Sequence, residues 1–362
     1  MTREELCSKI DEAIAKFSHI GTIVSRERYG SGHINDTYLV TNAAGKRYIF
    51  QRINHDIFKK PDEIMSNISL VTAHIAKKCA EYGKDPSRAT LTVVKTNSGE
   101  SYYRDSIGSY WRMYEFVEKT VAKDRVENIG EFESCANAFG EFLCMLEDFD
   151  ASQLYEVIPN FHNTPKRYEN LMAAIEKDSH GRVCEVKDEI EFCLAHKEFA
   201  QTLERAHKEG GLPLRVTHND TKLNNILFNS EDMKPACVID LDTIMPGYVV
   251  NDFGDSIRFG ATTAAEDEAD LSKVHFDLEL YRAYARGYLE GAKGKLTDTE
   301  IELLPVGAMM MTFECGMRFL TDYLEGDTYF RTSRPGHNLD RARNQFALLR
   351  DMEKNADKMK LV

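Results

Sequence analysis

The densest run of chemically capable side chains is Val216-Thr217-His218-Asn219-Asp220-Thr221-Lys222-Leu223-Asn224-Asn225-Ile226-Leu227. His218 stands two residues before Asp220, and Asn225 five after it, directly ahead of an apolar run. A carboxylate such as Asp220 can orient an attacking hydroxyl and take its proton, while an amide oxygen at Asn225 can hold a Mg²⁺ ion carried on phosphates. A second acidic site follows at Val238-Ile239-Asp240-Leu241-Asp242, an apolar strand ending in carboxylates. Mg²⁺ prefers oxygen donors and takes few of them from protein. Asp220, Asn225 and Asp240 in that order suit phosphoryl transfer to an alcohol, which depends on positioning and charge stabilisation rather than on a deeply shifted pKa. Taken alone, His218-Asn219-Asp220 would equally suit a turn or cap.

Such a loop needs elements to hold it. Short stretches rich in β-branched and aromatic residues occur at 22–28, 36–41, 47–52, 90–95 and 110–117. Turn signals such as Tyr29-Gly30-Ser31-Gly32 separate them, so they read as strands. Ile64, Ile68, Val71 and Ile75 predict one helix over 61–82, and Leu6, Ile10, Ile14 and Phe17 stripe an opening helix. Beyond Val117 the pattern turns helical, with helices predicted over 131–148, 188–208, 275–290 and 303–324. A strand pair is predicted within 214–242, its apolar runs flanking a polar turn at 229–234. The expected fold is α+β: a small sheet lobe over 1–117 and a larger, mainly helical lobe over 118–362.

Composition narrows the functions. With 46 basic and 59 acidic side chains the formal charge is −13, which argues against a broad polyphosphate-binding surface and against nucleic acid as a partner. A local nucleotide site stays open. Hydrophobic residues at 42% can fill a substantial core. The 8 cysteines are dispersed without a Cys-x-x-Cys pair, and no His-Glu-x-x-His occurs, so zinc and dithiol redox chemistry are not expected. Met1 to Phe17 lacks the apolar centre of a signal peptide, and no run approaches the roughly 20 apolar residues that span a bilayer. The expectation is a cytoplasmic chain without a membrane partner, a monomer with an oligomer left open.

The spacing His-x-Asp-x-x-x-x-Asn resembles the catalytic loop of protein kinases. The run 217–255 is similar to the aminoglycoside phosphotransferase and choline kinase superfamily, whose members share a bilobal protein-kinase-like fold. More narrowly, the chain resembles the bacterial N-acetylhexosamine 1-kinases in Gly32-His33-Ile34-Asn35, Phe149-Asp150-Ala151-Ser152-Gln153-Leu154, and the runs 214–227, 239–247 and 252–261. Glu314-Cys315-Gly316-Met317-Arg318-Phe319-Leu320 and Asp322-Tyr323-Leu324-Glu325-Gly326-Asp327 complete the match.

The resemblance implies an ATP-dependent kinase of the anomeric hydroxyl of N-acetylglucosamine or N-acetylgalactosamine. Asp220 would act on the sugar hydroxyl, and Asn225 and Asp240 would bind Mg²⁺. Asp242 would add a water-mediated contact or be a solvated or outer-lying carboxylate, and Lys222 would meet the transferring phosphate or be solvated. His33, Phe259, Arg318 and Tyr329 would meet the sugar. The plainer alternatives are an exposed turn for His33, core packing for Phe259, and an ion pair of Arg318 with Glu314 or Asp322. Gly30, Ser31 and Gly32 would approach the phosphates, since glycines let backbone amides point at them. Glu115, Phe116 and Val117 would form the hinge that meets adenine.

One departure stands out. Where such lobes carry a phosphate-pairing lysine on the third strand, alignment places Gln51, with Arg52 on the opposite face of the strand. Glu63 is a candidate for the acidic partner on the following helix. The rival readings are a kinase of another small alcohol, such as an aminoglycoside, choline or homoserine, and a nucleotide-binding pseudokinase.

Overall fold

The computed structural model describes residues 3–30, 34–123 and 127–361. Contacts group the chain into two compact units, one of Met1–Ala122, Ser152–Ile158 and Ile226–Met245, the other of Lys123–Ala151, Pro159–Asn225 and Pro246–Val362. Asp240 therefore belongs to the first unit, and Asp220 and Asn225 to the second.

The first unit is built on an antiparallel sheet. Its strands are β1 (Ile23–Arg28), β2 (Asp36–Asn42), β3 (Arg47–Ile53), β4 (Val93–Val94), β5 (Tyr103–Arg104) and β6 (Tyr110–Glu115). They pair in the order β1-β2-β3-β6-β4, with β5 added to β6. Two differences from the sequence expectation share one cause. The strand predicted over 90–95 shortens to β4, and β5 was not anticipated; two-residue strands hold their place by pairing with β6 rather than by any periodicity of their own. Period-2 alternation sends Tyr48 and Phe50 of β3, and Trp111 and Met113 of β6, into a core shared with Ile10, Ala13 and Phe17. Phe50 stacks on Trp111 with ring centroids 5.1 Å apart, and the indole Nε1 donates to Asp105 Oδ2 at 2.8 Å. The alternate residues, Gln51 and Arg112, are cross-strand partners on the other face. The helix Pro61–Glu81 buries Ile64, Met65, Ile68, Val71 and Ile75, as its apolar spacing requires. The predicted strand pair is Ile226–Asn229 against Pro235–Val238, with Thr120–Ala122 as a third strand.

The second unit is helical. Its main elements are Ile129–Met145, Thr164–Lys177, Val249–Gly260, Leu278–Ala292, Asp298–Leu324 and His337–Lys354. Close approach of two helices explains glycines at fixed places. A Cβ on Gly307 would lie 2.1 Å from the carbonyl oxygen of Val250, and one on Gly254 2.3 Å from that of Gly307, so helices 249–260 and 298–324 touch backbone to backbone. The longer helix starts with a capping box: Thr297 accepts from the Glu300 N–H at 3.2 Å, and Glu300 accepts from the Thr297 N–H at 2.7 Å. By length and composition this helix could cross a membrane, contrary to the expectation that no run comes near. However, 78% of its most apolar window is buried in the protein, as in a core helix.

The helix predicted over 188–208 is broken into Lys187–Ala195 and Thr202–Lys208. His196 Nδ1 lies 2.7 Å from the Phe192 carbonyl, the acceptor that the His196 N–H would use in a continuing helix; that N–H turns to Cys193 instead. Helices 164–177, 249–260 and 337–354 were not anticipated.

Candidate active site

The loop 218–225 is held from beneath by helix 249–260. Asp252 accepts the N–H groups of both His218 and Asn219 at 2.7 Å, and its carbonyl accepts Thr221 Oγ1 at 2.5 Å. Ser256 Oγ donates to the Thr221 carbonyl at 2.5 Å and accepts from Tyr284 at 2.7 Å. Burial raises the Asp252 carboxyl above its usual range, although His218 and the two amides pull the other way. His218 is fully buried, with the rings of Phe139 and Phe142 edge-on to it, and its Nδ1 accepts the Asp220 N–H at 3.3 Å. It is a structural support of the loop. Asn219 takes φ +63°, a left-handed backbone that asparagine tolerates better than most residues.

The result is a presented carboxylate. Asp220 Oδ1 lies 2.5 Å from Lys222 Nζ, and Oδ2 accepts Asn225 Nδ2 at 3.1 Å. Burial alone would lower the Lys222 ammonium, but Asp220 and Asp255 outweigh it and hold it above its usual range. Asn225 Nδ2 also donates to the Asp220 carbonyl at 2.8 Å. That commits the amide nitrogen and leaves Oδ1, a hard oxygen, as the atom that can meet a cation. Asp240 is exposed, just beyond strand Pro235–Val238. Among the described residues no three His, Cys, Asp or Glu side chains form a metal cage. Each unit by itself offers one oxygen donor of the hard kind that Mg²⁺ prefers, the Asp240 carboxylate in the first and the Asn225 amide oxygen in the second.

A cavity of about 720 Å³ in the second unit opens beside this loop, lined by Thr221, Lys222, Phe132, Arg258, Phe259 and Glu266 among others. Phe259 is half exposed there and is not a core residue. Arg318 and Tyr329 do not line this cavity. The Arg318 guanidinium lies over the rings of Phe161, Tyr329 and Phe330, at 5.3, 5.9 and 5.5 Å. The alternative of an Arg318 ion pair with Glu314 or Asp322 is not found, because both acids are otherwise engaged. Glu314 takes His162 at 2.9 Å and Thr164 at 2.7 Å; burial would raise its carboxyl, but His162 holds it below the usual range. Asp322 accepts the N–H groups of Thr328, Tyr329 and Phe330 and so fixes the segment that carries Tyr329.

Arg167 and His162 are additions that the sequence did not reveal. Burial, and then the like charge of Arg318, lower the Arg167 guanidinium. His162 Nε2 lies 3.4 Å from the Asn219 carbonyl, linking Glu314 to the loop 218–225. Nothing local to either residue signals these partners.

In the first unit Gly30 adopts φ +75° before β2. Ser31, Gly32 and His33, expected at phosphate and sugar, lie outside the described residues. Arg52 turns to Asp36 (Nε to Oδ2 2.8 Å), while Gln51 faces Arg112. Glu63 pairs with Lys60 at 2.7 Å rather than with a strand cation. In the hinge segment Glu115 takes Lys46 at 2.5 Å, the Phe116 N–H donates to the Arg47 carbonyl at 3.1 Å, and the Val117 carbonyl accepts Thr120 Oγ1 at 2.7 Å.

Similar structures share this fold. A microcompartment-associated aminopropanol kinase is 15% identical, with 96% of this chain and 98% of that one covered and a TM-score of 0.57. The choline kinase of Cryptosporidium parvum Iowa II is 14% identical over 99% and 98%, at 0.57. The amicoumacin kinase hAmiN, in complex with AMP-PNP, Ca²⁺ and Ami, is 12% identical over 98% and 96%, at 0.58. Residues 25–291, which include the whole of the loop 218–225, Asp240 and Asp252, match the family model described as the phosphotransferase enzyme family (APH), and the chain belongs to that family.

Proposed function

We propose that this phosphotransferase transfers the γ-phosphate of ATP to the anomeric 1-hydroxyl of N-acetylglucosamine or N-acetylgalactosamine. The observation that carries the choice of acceptor is the pairing of Arg318 and Arg167 beside Tyr329, Phe161 and Phe330, with no carboxylate within ion-pair distance of either guanidinium among the described residues. Guanidinium donors and the exposed ring of Tyr329 suit a neutral, hydroxyl-rich ring with an amide carbonyl. The same charges oppose a cation, and aminopropanol and choline, named for two of the similar structures, are cations at neutral pH.

In this reading Asp220 orients the anomeric hydroxyl and accepts its proton as the oxygen bonds to the γ-phosphorus and the bond to the β-phosphate oxygen breaks, releasing ADP. Lys222, 2.5 Å from Asp220, would share the charge of the incoming phosphoryl oxygens. A divalent ion, held by Asn225 Oδ1 and the Asp240 carboxylate, would neutralise phosphate charge; the AMP-PNP and Ca²⁺ named for the amicoumacin kinase structure favour such a pairing.

The test is ADP release with ATP and Mg²⁺ across N-acetylglucosamine, N-acetylgalactosamine, glucose, choline, aminopropanol and an aminoglycoside. Turnover of the two N-acetylhexosamines is expected. Turnover of the cationic alcohols alone would overturn the assignment.

A further inference from the structure

The phosphate-pairing lysine is missing from β3, yet its face of the sheet does hold a cation. Arg112, directly across from Gln51 in the β3–β6 register, is 2% exposed. Its two terminal nitrogens donate to the two oxygens of Asp242, Nη2 to Oδ2 at 2.9 Å and Nη1 to Oδ1. Nε donates to Gln51 Oε1 at 2.9 Å, and Gln51 Nε2 donates to Thr37 Oγ1 at 2.9 Å, so the amide is fixed at both ends and steers the guanidinium. Asn35 Nδ2 adds a donor to Asp242 Oδ2 at 2.7 Å, while its own Oδ1 accepts the Asn54 N–H at 2.9 Å. The face of Tyr114 lies 5.3 Å from the guanidinium, and Met65 of helix 61–81 is 3.9 Å from Nη1.

A buried ion pair of this kind adds little net stability over apolar packing, so stability is a weak reason for it. Its carboxylate stands inside the turn Leu241–Thr243, which opens immediately after Asp240. Asp240 sits at φ +59° and ψ +57°, the left-handed region, which a non-glycine residue keeps only where the surroundings impose it. The grip on Asp242, two residues on, is such an imposition.

We propose that Arg112 is a positioning residue for the metal carboxylate: through Asp242 it sets the backbone that presents Asp240, an anchoring role supplied from β6 in a sheet that lacks the β3 lysine. The inference rests on the reading of Asp240 as a metal ligand and is independent of the acceptor.

The test uses the full chain, Arg112→Lys, and the paired apolar replacement Arg112→Met/Asp242→Leu, which leaves no buried charge behind should the single variant fail to fold. Affinity for ADP is measured by calorimetry with and without Mg²⁺, alongside amide hydrogen exchange over 239–244. Arg112→Lys keeps the charge but loses the two-pronged geometry. It is expected to weaken Mg·ADP binding about tenfold or more, the usual loss when a ligand's outer partner is removed. Metal-free ADP should change less than about twofold on the same scale, the amides of 240–243 should exchange faster, and the folded paired variant should lose the same metal preference. Unchanged Mg·ADP affinity in either folded variant, or an equal loss with and without metal, overturns the proposal. A parent chain whose ADP binding ignores Mg²⁺ removes the metal reading itself, and the clamp with it.

Discussion

Asp220 is the residue at which chemistry and binding should separate. Asp220→Asn keeps the shape and the contact region of Lys222 and Asn225 but removes the charge that, in the proposed reaction, would accept the proton. Its kcat should fall by about 10²–10⁴-fold, the range for positioned general-base catalysis, while Mg·ATP binding persists. Steady-state kinetics with circular dichroism as the folding check decide this, and a kcat within about threefold of the parent would remove Asp220 from the mechanism. Asp240→Asn should also abolish most turnover, but there a raised Mg²⁺ concentration should recover part of it, because mass action offsets a weakened site; full activity at ordinary Mg²⁺ contradicts the assigned role. These candidates could be picked out of the sequence because their spacing is local: one loop, then one strand end. Arg112 left a fainter trace, a lone cation among Tyr110, Trp111, Met113 and Tyr114, and its meaning appears only once β6 is laid beside β3. His162 and Arg167 left none, since their partners, Asn219, Glu314 and Arg318, are distant in the chain.

Helix 249–260 is the element on which the loop depends, and the backbone contact with helix 298–324 fixes its position. Gly307→Ala would drive a Cβ to 2.1 Å from the Val250 carbonyl, and backbone cannot rotate out of the way. A loss of about 1–3 kcal/mol is expected, read as a Tm lower by several degrees, together with reduced kcat because Asp252 on the displaced helix holds the His218 and Asn219 amides. An unchanged Tm would show that the helices are free to separate. A second element-scale prediction concerns pH. Glu353, 2.8 Å from His196 Nε2, raises the imidazole above its ordinary value, with the Phe192 carbonyl adding to the effect against burial. A raised folded-state pKa stabilises fully below the unfolded value of about 6.5 and is lost as pH rises through the folded value. Glu353→Gln should therefore lower Tm in mildly acidic buffer and leave it unchanged in alkaline buffer; a deficit that grows with pH contradicts the pairing. The same His196 ended the helix that periodicity ran through to 208, an interruption that apolar spacing cannot report because a side chain, not a glycine or proline, makes it.

At the scale of the whole molecule, the α+β class followed from strands that alternate before Val117 and helices that stripe after it, and contacts then drew Ile226–Met245, with Asp240, into the unit of the sheet. No local signal assigns a strand pair to one unit or the other; its register with Thr120–Ala122 does. The family is established by the match over 25–291, whereas the choice of acceptor rests on side chains gathered around Arg318 in the second unit. The most direct test of that choice is the phosphorus-31 and proton NMR spectrum of the product made from N-acetylglucosamine, ATP and Mg²⁺ by the purified chain. The expected result is stoichiometric ADP and a sugar phosphate whose phosphorus couples to the anomeric proton. A product phosphorylated at another hydroxyl, or no sugar phosphate while choline or aminopropanol is phosphorylated under the same conditions, would contradict the account.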